Sequence, residues 1–228
     1  MKLSVIVPVY NEAKTIAKVI EEIKSVSLEI DREIIVVDDA STDSTKKILA
    51  ELNDASVKVF FHEVNKGKTE AIKTALKHVN GDFIIIQDAD LEYPPSENYR
   101  AVLAPLMKGY ADVVYGSRFL GVHRVFYFWH YFANKFLTTL TNILFDTMLT
   151  DMETGVKAFK KEVFNDLTLT SKRFGFEPEI TAKVFKRGYR VFEVPITYCG
   201  RNFDEGKKIR PVDGLKAIFS IIKYRFFD

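Results

Sequence analysis

Three short segments set acidic residues directly behind runs of β-branched and apolar residues. They carry Asp38, Asp39, Ser41 and Asp43; Gln87, Asp88, Asp90 and Glu92; and, less regularly, Thr150, Asp151, Glu153, Thr154 and Gly155. The second segment promises the most chemistry. A buried strand ending in Asp88-Ala89-Asp90 aims two carboxylates from one sheet edge into the same space. Like charges held that close repel, and one would ordinarily take up a proton. A divalent cation resolves the conflict, and a hard cation bound by few carboxylates usually brings a diphosphate with it. Alone, Asp-x-Asp after a strand is more often a turn or helix-capping cluster. The three segments together point first to a metal-dependent enzyme acting on a nucleotide-linked substrate.

The elements that must position these residues alternate between strand and helix. Leu3 to Val9, Glu33 to Val37, Val57 to Phe61, Phe83 to Ile86 and Ala111 to Tyr115 are apolar runs of strand length. Ala13 to Lys24 carries Ile16, Val19, Ile20 and Ile23 on one helical stripe, and Lys68 to His78 reads as a second helix. Ser41 or Asp43 can cap the helix after the second strand. Strands apolar throughout, separated by amphipathic helices, indicate a parallel sheet covered on both faces. Ligands of such sheets sit at the carboxyl ends of the strands. The acidic segments lie there, as do Tyr10, Asn11 and Glu12.

The second half differs. Phe126, Tyr127, Phe128, Trp129, Tyr131, Phe132 and Phe136 crowd one stretch, and Trp129, Phe132, Phe136, Leu140 and Ile143 follow helical spacing. His130, Asn134, Thr138 and Thr141 share another face. The central apolar stripe is expected to pack into the core. The aromatics beyond it exceed what a surface helix needs. With Arg124 and Lys135 beside them, they suit a helix resting in the plane of a bilayer surface. Leu215, Ile218, Phe219 and Ile222, opposite Lys216, Ser220 and Lys223, repeat the pattern before a basic, aromatic end at Lys223 to Phe227.

Composition narrows the possibilities. The chain has 228 residues and is 47% apolar, enough for one sizeable core. A net charge of +2 argues against a nucleic-acid partner. The single cysteine, Cys199, cannot form an internal disulfide, which fits a reducing compartment, and it is expected to be an ordinary packing residue. The start is too short an apolar run for a secretory signal, and no run reaches the ~20 residues of a spanning helix. The expectation is a protein that is soluble or, at most, peripheral.

Taken in order, Pro8, Tyr10, Asn11 and Glu12; Asp38, Asp39, Ser41 and Asp43; Asn65, Gly67, Lys68 and Ala71; Gln87 to Asp90; and Gly116, Ser117 and Arg118 closely resemble the family-2 glycosyltransferases of GT-A fold, over nearly the whole chain. Asp151, Thr154, Gly155, Lys157 and Phe159, then Arg173, Gly175, Glu177 and Glu179, Glu193 and Pro195, and Arg201, Glu205, Gly206, Lys207 and Lys208 are similar to the polyprenyl-phosphate branch, which includes the dolichol-phosphate mannose and glucose synthases. The resemblance implies one α/β domain over residues 1–228, with a Rossmann-like, mostly parallel sheet sandwiched by helices. Residues 1–116 would bind a nucleotide-sugar, and 117–228 an acceptor through membrane-facing helices. It implies inverting, Mg²⁺- or Mn²⁺-dependent transfer of a hexose, mannose before glucose, from a GDP- or UDP-sugar to a polyprenyl (dolichyl) phosphate. It further implies a peripheral position on the cytoplasmic face of the membrane, with room for a separate membrane-protein partner.

The same resemblance assigns residues. Pro8, Tyr10, Glu12, Asp38, Asn65, Lys68, Asp88 and Ala89 would line the nucleotide site, and Asp90, with Glu92 and Asp88, would hold the metal. Arg118, Arg201, Lys207 and Lys208 would hold the acceptor phosphate, and Asp151 would act near sugar or acceptor beside Arg118 and Asp90. Chemistry supports the division. A phosphate monoester with a second pKa near 6 is largely a dianion at neutral pH, so it attacks without a strong base. The protein must instead gather positive charge, for which Arg is preferred. The bland reading of Lys68 is a solvated first-turn lysine, and of Glu177 and Glu179 first-turn acids favoured by the helix dipole. Three rivals stand. A family-2 transferase acting on a sugar hydroxyl would need Asp151, Glu177 or Glu179 as base. A non-catalytic nucleotide-sugar-binding protein would need none. A nucleotidyltransferase usually has a Gly-rich loop where this chain has Pro8 to Glu12.

Overall fold

A computed structural model describes residues 1–125, 127–171, 175–202 and 211–227. Its framework is a seven-stranded sheet in the order β3-β2-β1-β4-β6-β5-β7. The strands are β1 (Lys2–Val9), β2 (Asp31–Asp38), β3 (Val57–Phe61), β4 (Phe83–Ile86), β5 (Val113–Ser117), β6 (Lys157–Lys160) and β7 (Val191–Pro195). β1, β2, β3 and β4 run parallel, β6 runs antiparallel to β4 and β5, and β7 is parallel to β5. The two halves of the chain therefore share one sheet.

The reason these segments form inner strands is visible in their burial. Val5, Val7, Ile34, Val36 and Ile85 point to one face and Ile6, Ile35, Val37, Ile84 and Ile86 to the other, all essentially without solvent contact. The first face is covered by α1 (Ile16–Ser25), α2 (Thr45–Ala50) and α4 (Pro95–Met107). The second is covered by α3 (Lys68–Leu76), α5 (Phe128–Phe145), α6 (Phe176–Lys186) and α7 (Pro211–Phe226). α1 buries Ile16, Val19, Ile20 and Ile23, the stripe its spacing requires.

α5 corrects one expectation. Its apolar stripe faces outward: Trp129 and Ile143 are each 74% exposed, Phe132 54% and Phe136 50%. The helix docks by Leu137, Thr138 and Thr141, and its polar side chains bond inward. The Met152 amide donates to Thr138 Oγ1 (3.1 Å), and Asn142 Nδ2 donates to the Leu149 carbonyl (2.8 Å). α7 behaves alike, seating Ala217, Ile221 and Tyr224 and exposing Leu215, Phe219 and Ile222. α5 lies against α7, with the Arg225 guanidinium 5.5 Å from the Phe145 ring centre. No helix among the described residues is long and apolar enough to cross a membrane.

Candidate active site

The strand order reverses direction between β1 and β4, and the crevice of an open α/β sheet lies at such a point, beyond the carboxyl ends. The backbone marks the same edge. Asn11, Ala40 and Leu91, which follow β1, β2 and β4, hold φ of 54°, 58° and 63°. Left-handed backbone at non-glycine residues costs on the order of 1–3 kcal/mol each and gathers at functional sites.

The loops here are tied to one another by side chains. Asp39 accepts from the Lys66 amide (2.9 Å), the Gly67 amide (2.6 Å) and His62 Nδ1 (2.7 Å), which fixes the turn carrying Asn65 and Lys68. Gly67 has φ of 93°, so that turn needs a glycine. Asn65 Nδ2 reaches the Asp39 carbonyl (3.2 Å). Asp43 accepts from the Thr45 amide (2.9 Å) at the start of α2, whereas Ser41 Oγ accepts from the Asn11 amide (2.8 Å) and joins two loops rather than capping. Asp38 is fully buried; its Oδ2 accepts from the Ser41 amide (3.2 Å), and its Oδ1 has no partner among the described residues. Thr15 Oγ1 donates to the Ala89 carbonyl (2.7 Å), and Tyr10 is exposed at the rim. Pro8 lies within β1 beside Val37.

Lys68 is not a solvated surface lysine. Its ammonium lies 2.7 Å from both Asp88 Oδ1 and Glu177 Oε1 and joins the two halves of the site. Burial opposes its charge, but Asp88 and Glu177 outweigh burial and hold its pKa above the ordinary range. Asp88 is also pressed from the other side. A Cβ on Gly155 would overlap Asp88 Oδ2 and Tyr93, so the acceptor-half segment approaches Asp88 as backbone only.

Asp90 and Glu92 face Arg201. Arg201 Nη2 is 3.0 Å from Asp90 Oδ2, Nη1 is 3.2 Å from Glu12 Oε2, and Nε is 3.5 Å from Glu92 Oε1. Glu92 also accepts from the Arg201 amide (2.9 Å) and from Tyr198 OH (2.7 Å). Burial, then Asp88 and Glu92, push the Asp90 carboxyl up to about 7, against the pull of Arg201. The expected three-carboxylate cage needs correction. Asp88 is turned to Lys68 and Glu92 to Tyr198 and Arg201, and no group of three acidic, His or Cys side chains among the described residues closes on one point. The donor set still suits a hard cation held by one or two carboxylates and completed by substrate oxygens. Asp90 supplies such an oxygen, in surroundings with an excess of negative charge.

Asp151 is corrected more sharply. It is fully buried, and both its oxygens are taken by Arg118: Nε to Oδ2 and Nη2 to Oδ1, each at 2.7 Å, with the Arg118 amide on Oδ2 at 3.0 Å. A carboxylate so occupied orients Arg118 and cannot serve as a base. Asn134 on α5 holds Arg118 Nη2 (3.3 Å), and the guanidinium lies 5.4 Å from the Tyr198 ring centre. Arg118 Nη1 makes no hydrogen bond to the described residues. Glu179 is structural too, accepting from the Thr170 amide (2.6 Å) and Ser171 amide (2.8 Å) and pairing with Lys183 (2.9 Å). Lys207 and Lys208, like Arg173, Glu205 and Gly206, lie outside the described residues. Cys199 is exposed rather than packed.

Sequence reasoning missed Tyr93, Tyr198 and Glu153. Tyr93 OH accepts from the Gly155 amide (3.0 Å), and its ring meets that of Tyr198 at 5.0 Å. Glu153 Oε1 is buried without a partner among the described residues. Burial, then Glu177, push its carboxyl up to about 7, against Lys157 and Arg118. Burial lowers its neighbour Lys157 to about 8, and Lys157 Nζ bonds the Met152 (3.1 Å) and Thr154 carbonyls. The folded Glu153 carboxyl keeps its proton to about pH 7, whereas an unfolded one releases it near 4.5. Its ionisation therefore costs no stability at pH 4, and the cost grows from there to about pH 7 and is constant beyond. Glu153→Gln should leave the melting temperature at pH 4 unchanged and stabilise the fold at pH 8 by on the order of 2–3 kcal/mol. Calorimetry at the two pH values checks this.

The fold and the acid-rich switch point define a nucleotide-site α/β architecture of the GT-A class. Comparison with known proteins carries this to a family. Residues 4–168 match glycosyl transferase family 2. The glycosyltransferase AglJ of Haloferax volcanii is 31% identical over 224 residues, covering 94% of this chain and 69% of that protein. Among solved structures, glucosyl-3-phosphoglycerate synthase from Mycobacterium tuberculosis, in complex with Mn²⁺, UDP and phosphoglyceric acid, superposes with a TM-score of 0.76 at 21% identity, covering 100% of this chain and 79% of that one. Its complex with Mg²⁺ and UDP gives 0.73 at 23% identity, covering 98% and 79%. The chain belongs to glycosyl transferase family 2.

Proposed function

We propose that this glycosyltransferase moves a hexose, mannose in preference to glucose, from a GDP- or UDP-sugar to a polyprenyl phosphate while resting on the cytoplasmic face of a membrane. The observation that carries this reading is the inverted amphipathic helix α5. It turns aromatic side chains outward while its inner face holds Arg118 through Asn134. A lipid lying against the outer face would bring its phosphate toward the guanidinium, and Lys135 stands on the same helix, its ammonium 5.2 Å from the Phe119 ring centre. A soluble acceptor would need no such surface.

The donor would sit at the β1–β4 crevice. A bound Mg²⁺ or Mn²⁺, held at Asp90, would stabilise the charge that the departing nucleoside diphosphate gains. Arg118, pinned by Asp151, would offer Nη1 to the acceptor phosphate. That phosphate is dianionic at neutral pH and would attack the anomeric carbon directly. The same fold carries UDP and Mn²⁺ in the mycobacterial synthase.

The sugar-hydroxyl reading loses its named bases, because Asp151 and Glu179 are saturated and Glu177 is paired with Lys68. Glu153, unpartnered at Oε1, is the one observation that favours it. A transfer assay decides. Purified protein with Mn²⁺ and a panel of GDP- and UDP-hexoses should glycosylate a short polyprenyl phosphate and not the matching polyprenol or a free sugar. Glu153→Gln should keep at least a third of the rate. Transfer to a hydroxyl acceptor, abolished by Glu153→Gln, would establish the rival.

Membrane attachment has its own test. The protein should float with vesicles containing anionic lipid, and Trp129→Ser with Phe132→Ser should weaken binding about tenfold or more without lowering the melting temperature, since both side chains are already in water. Equal flotation of the double variant would exclude α5 as the contact.

A further inference from the structure

Three carboxylates from two loops surround one guanidinium at the mouth of the crevice. Arg201 bonds Asp90 Oδ2 at 3.0 Å, meets Glu12 with Nη1 at 3.2 Å and Nη2 at 3.3 Å, and reaches Glu92 with Nε at 3.5 Å and its amide at 2.9 Å. The side chain is only 18% exposed, so it fills this mouth rather than brushing its surface. Asp90 is also the carboxylate best suited to a divalent ion. A guanidinium and a metal cannot share one oxygen closely, and they repel each other as like charges. In the protein without substrate, Arg201 and a divalent cation therefore compete for Asp90.

A nucleoside diphosphate changes the balance. Its anionic oxygens accept two N–H bonds from an arginine and complete the shell of a hard cation. Arg201 can then leave Asp90 for a phosphate oxygen as the metal takes its place. We propose that Arg201 is a positioning residue that stands in for the divalent cation in the empty enzyme, so that metal uptake depends on bound nucleotide. This rests on the reading of Asp90 as the metal residue. It assigns Arg201 to the donor diphosphate rather than only to the acceptor phosphate.

The test is isothermal titration of the full chain with Mn²⁺ alone and with saturating UDP or GDP, for the wild type, Arg201→Ala and Arg201→Lys. The wild type should bind Mn²⁺ at least tenfold more tightly with nucleotide than without. Arg201→Ala should tighten binding of Mn²⁺ alone by about tenfold and weaken nucleotide binding, and Arg201→Lys should recover part of the coupling. A melting temperature within a few degrees of wild type shows that each variant is folded. If the alanine variant does not fold, Arg201→Gln replaces it with the same expectation. An unchanged or weaker affinity for Mn²⁺ alone in a folded Arg201→Ala or Arg201→Gln protein overturns the proposal while leaving the metal site intact. Absence of Mn²⁺ binding to the wild type even with nucleotide overturns both.

Discussion

Asp151→Asn should cost on the order of 3–5 kcal/mol of folding free energy and remove transfer. The loss follows from burial. Asp151 has no solvent contact, and its two oxygens take three N–H donors of Arg118. Burial alone would lower the Arg118 pKa, and Asp151 more than compensates, so that the guanidinium is held well above its ordinary value. Removing the carboxylate leaves a buried, uncompensated cation, which is far costlier than losing the pair together. Arg118→Met should be comparably destabilising for the opposite reason. The double variant Arg118→Met with Asp151→Leu should regain most of the stability, because two apolar side chains replace two charges. It should not regain transfer, because the guanidinium proposed to meet the acceptor is then missing. Urea unfolding together with the transfer assay separates these effects. A double variant that transfers at the wild-type rate would mean that Arg118 serves the fold alone.

Asp90→Asn should lower kcat about a thousandfold, the scale of losing one preorganised charge partner in a transition state. Its stability should move the other way. The Asp90 carboxyl is raised from 3.8 to about 7, first by burial and then by Asp88 and Glu92. Ionising it at pH 8 therefore works against the fold, whereas at pH 3 both states are protonated and nothing is gained or lost. The asparagine variant should be inactive yet melt no lower than wild type at pH 8. An inactive variant that also unfolds would make Asp90 a structural residue.

Much of this arrangement was legible in the sequence. The inner strands β1, β2 and β4 are apolar at most buried positions, with Ser4, Glu33 and Asp38 the polar exceptions towards their ends, which is the pattern of a sheet covered on both sides. The carboxyl-end rule then located Glu12, Asp38, Asp88 and Asp90 on one edge. β6 and β7 were not foreseen as strands. β6 has four residues and places Lys157 inside the protein, while β7 has Phe192 and Pro195 exposed and lacks an apolar run. The face of α5 was misjudged because periodicity shows that a stripe exists and not which side is solvent. Here Thr138 and Thr141 are buried beside Leu137, with their hydroxyls bonded to backbone. Glu153 was given no role, and the pairing of Lys68 with Glu177 was not foreseen, for a related reason. Each owes its character largely to groups far away in the chain: Lys68 to Glu177, and Glu153, beyond burial and the nearby Lys157, to Glu177 and Arg118. Gly155 was a usable sign, since a glycine beside Asp151 and Thr154 marks close backbone approach, here to Asp88.

Electron paramagnetic resonance of Mn²⁺, titrated into the protein with UDP or GDP present, interrogates the crevice most directly. Wild-type protein should take up one ion per chain, with a signal altered by the diphosphate, and Asp90→Asn should leave the ion free in solution. Equal uptake by both proteins would show that the carboxylate edge between β1 and β4 serves something other than a cation and its departing phosphates.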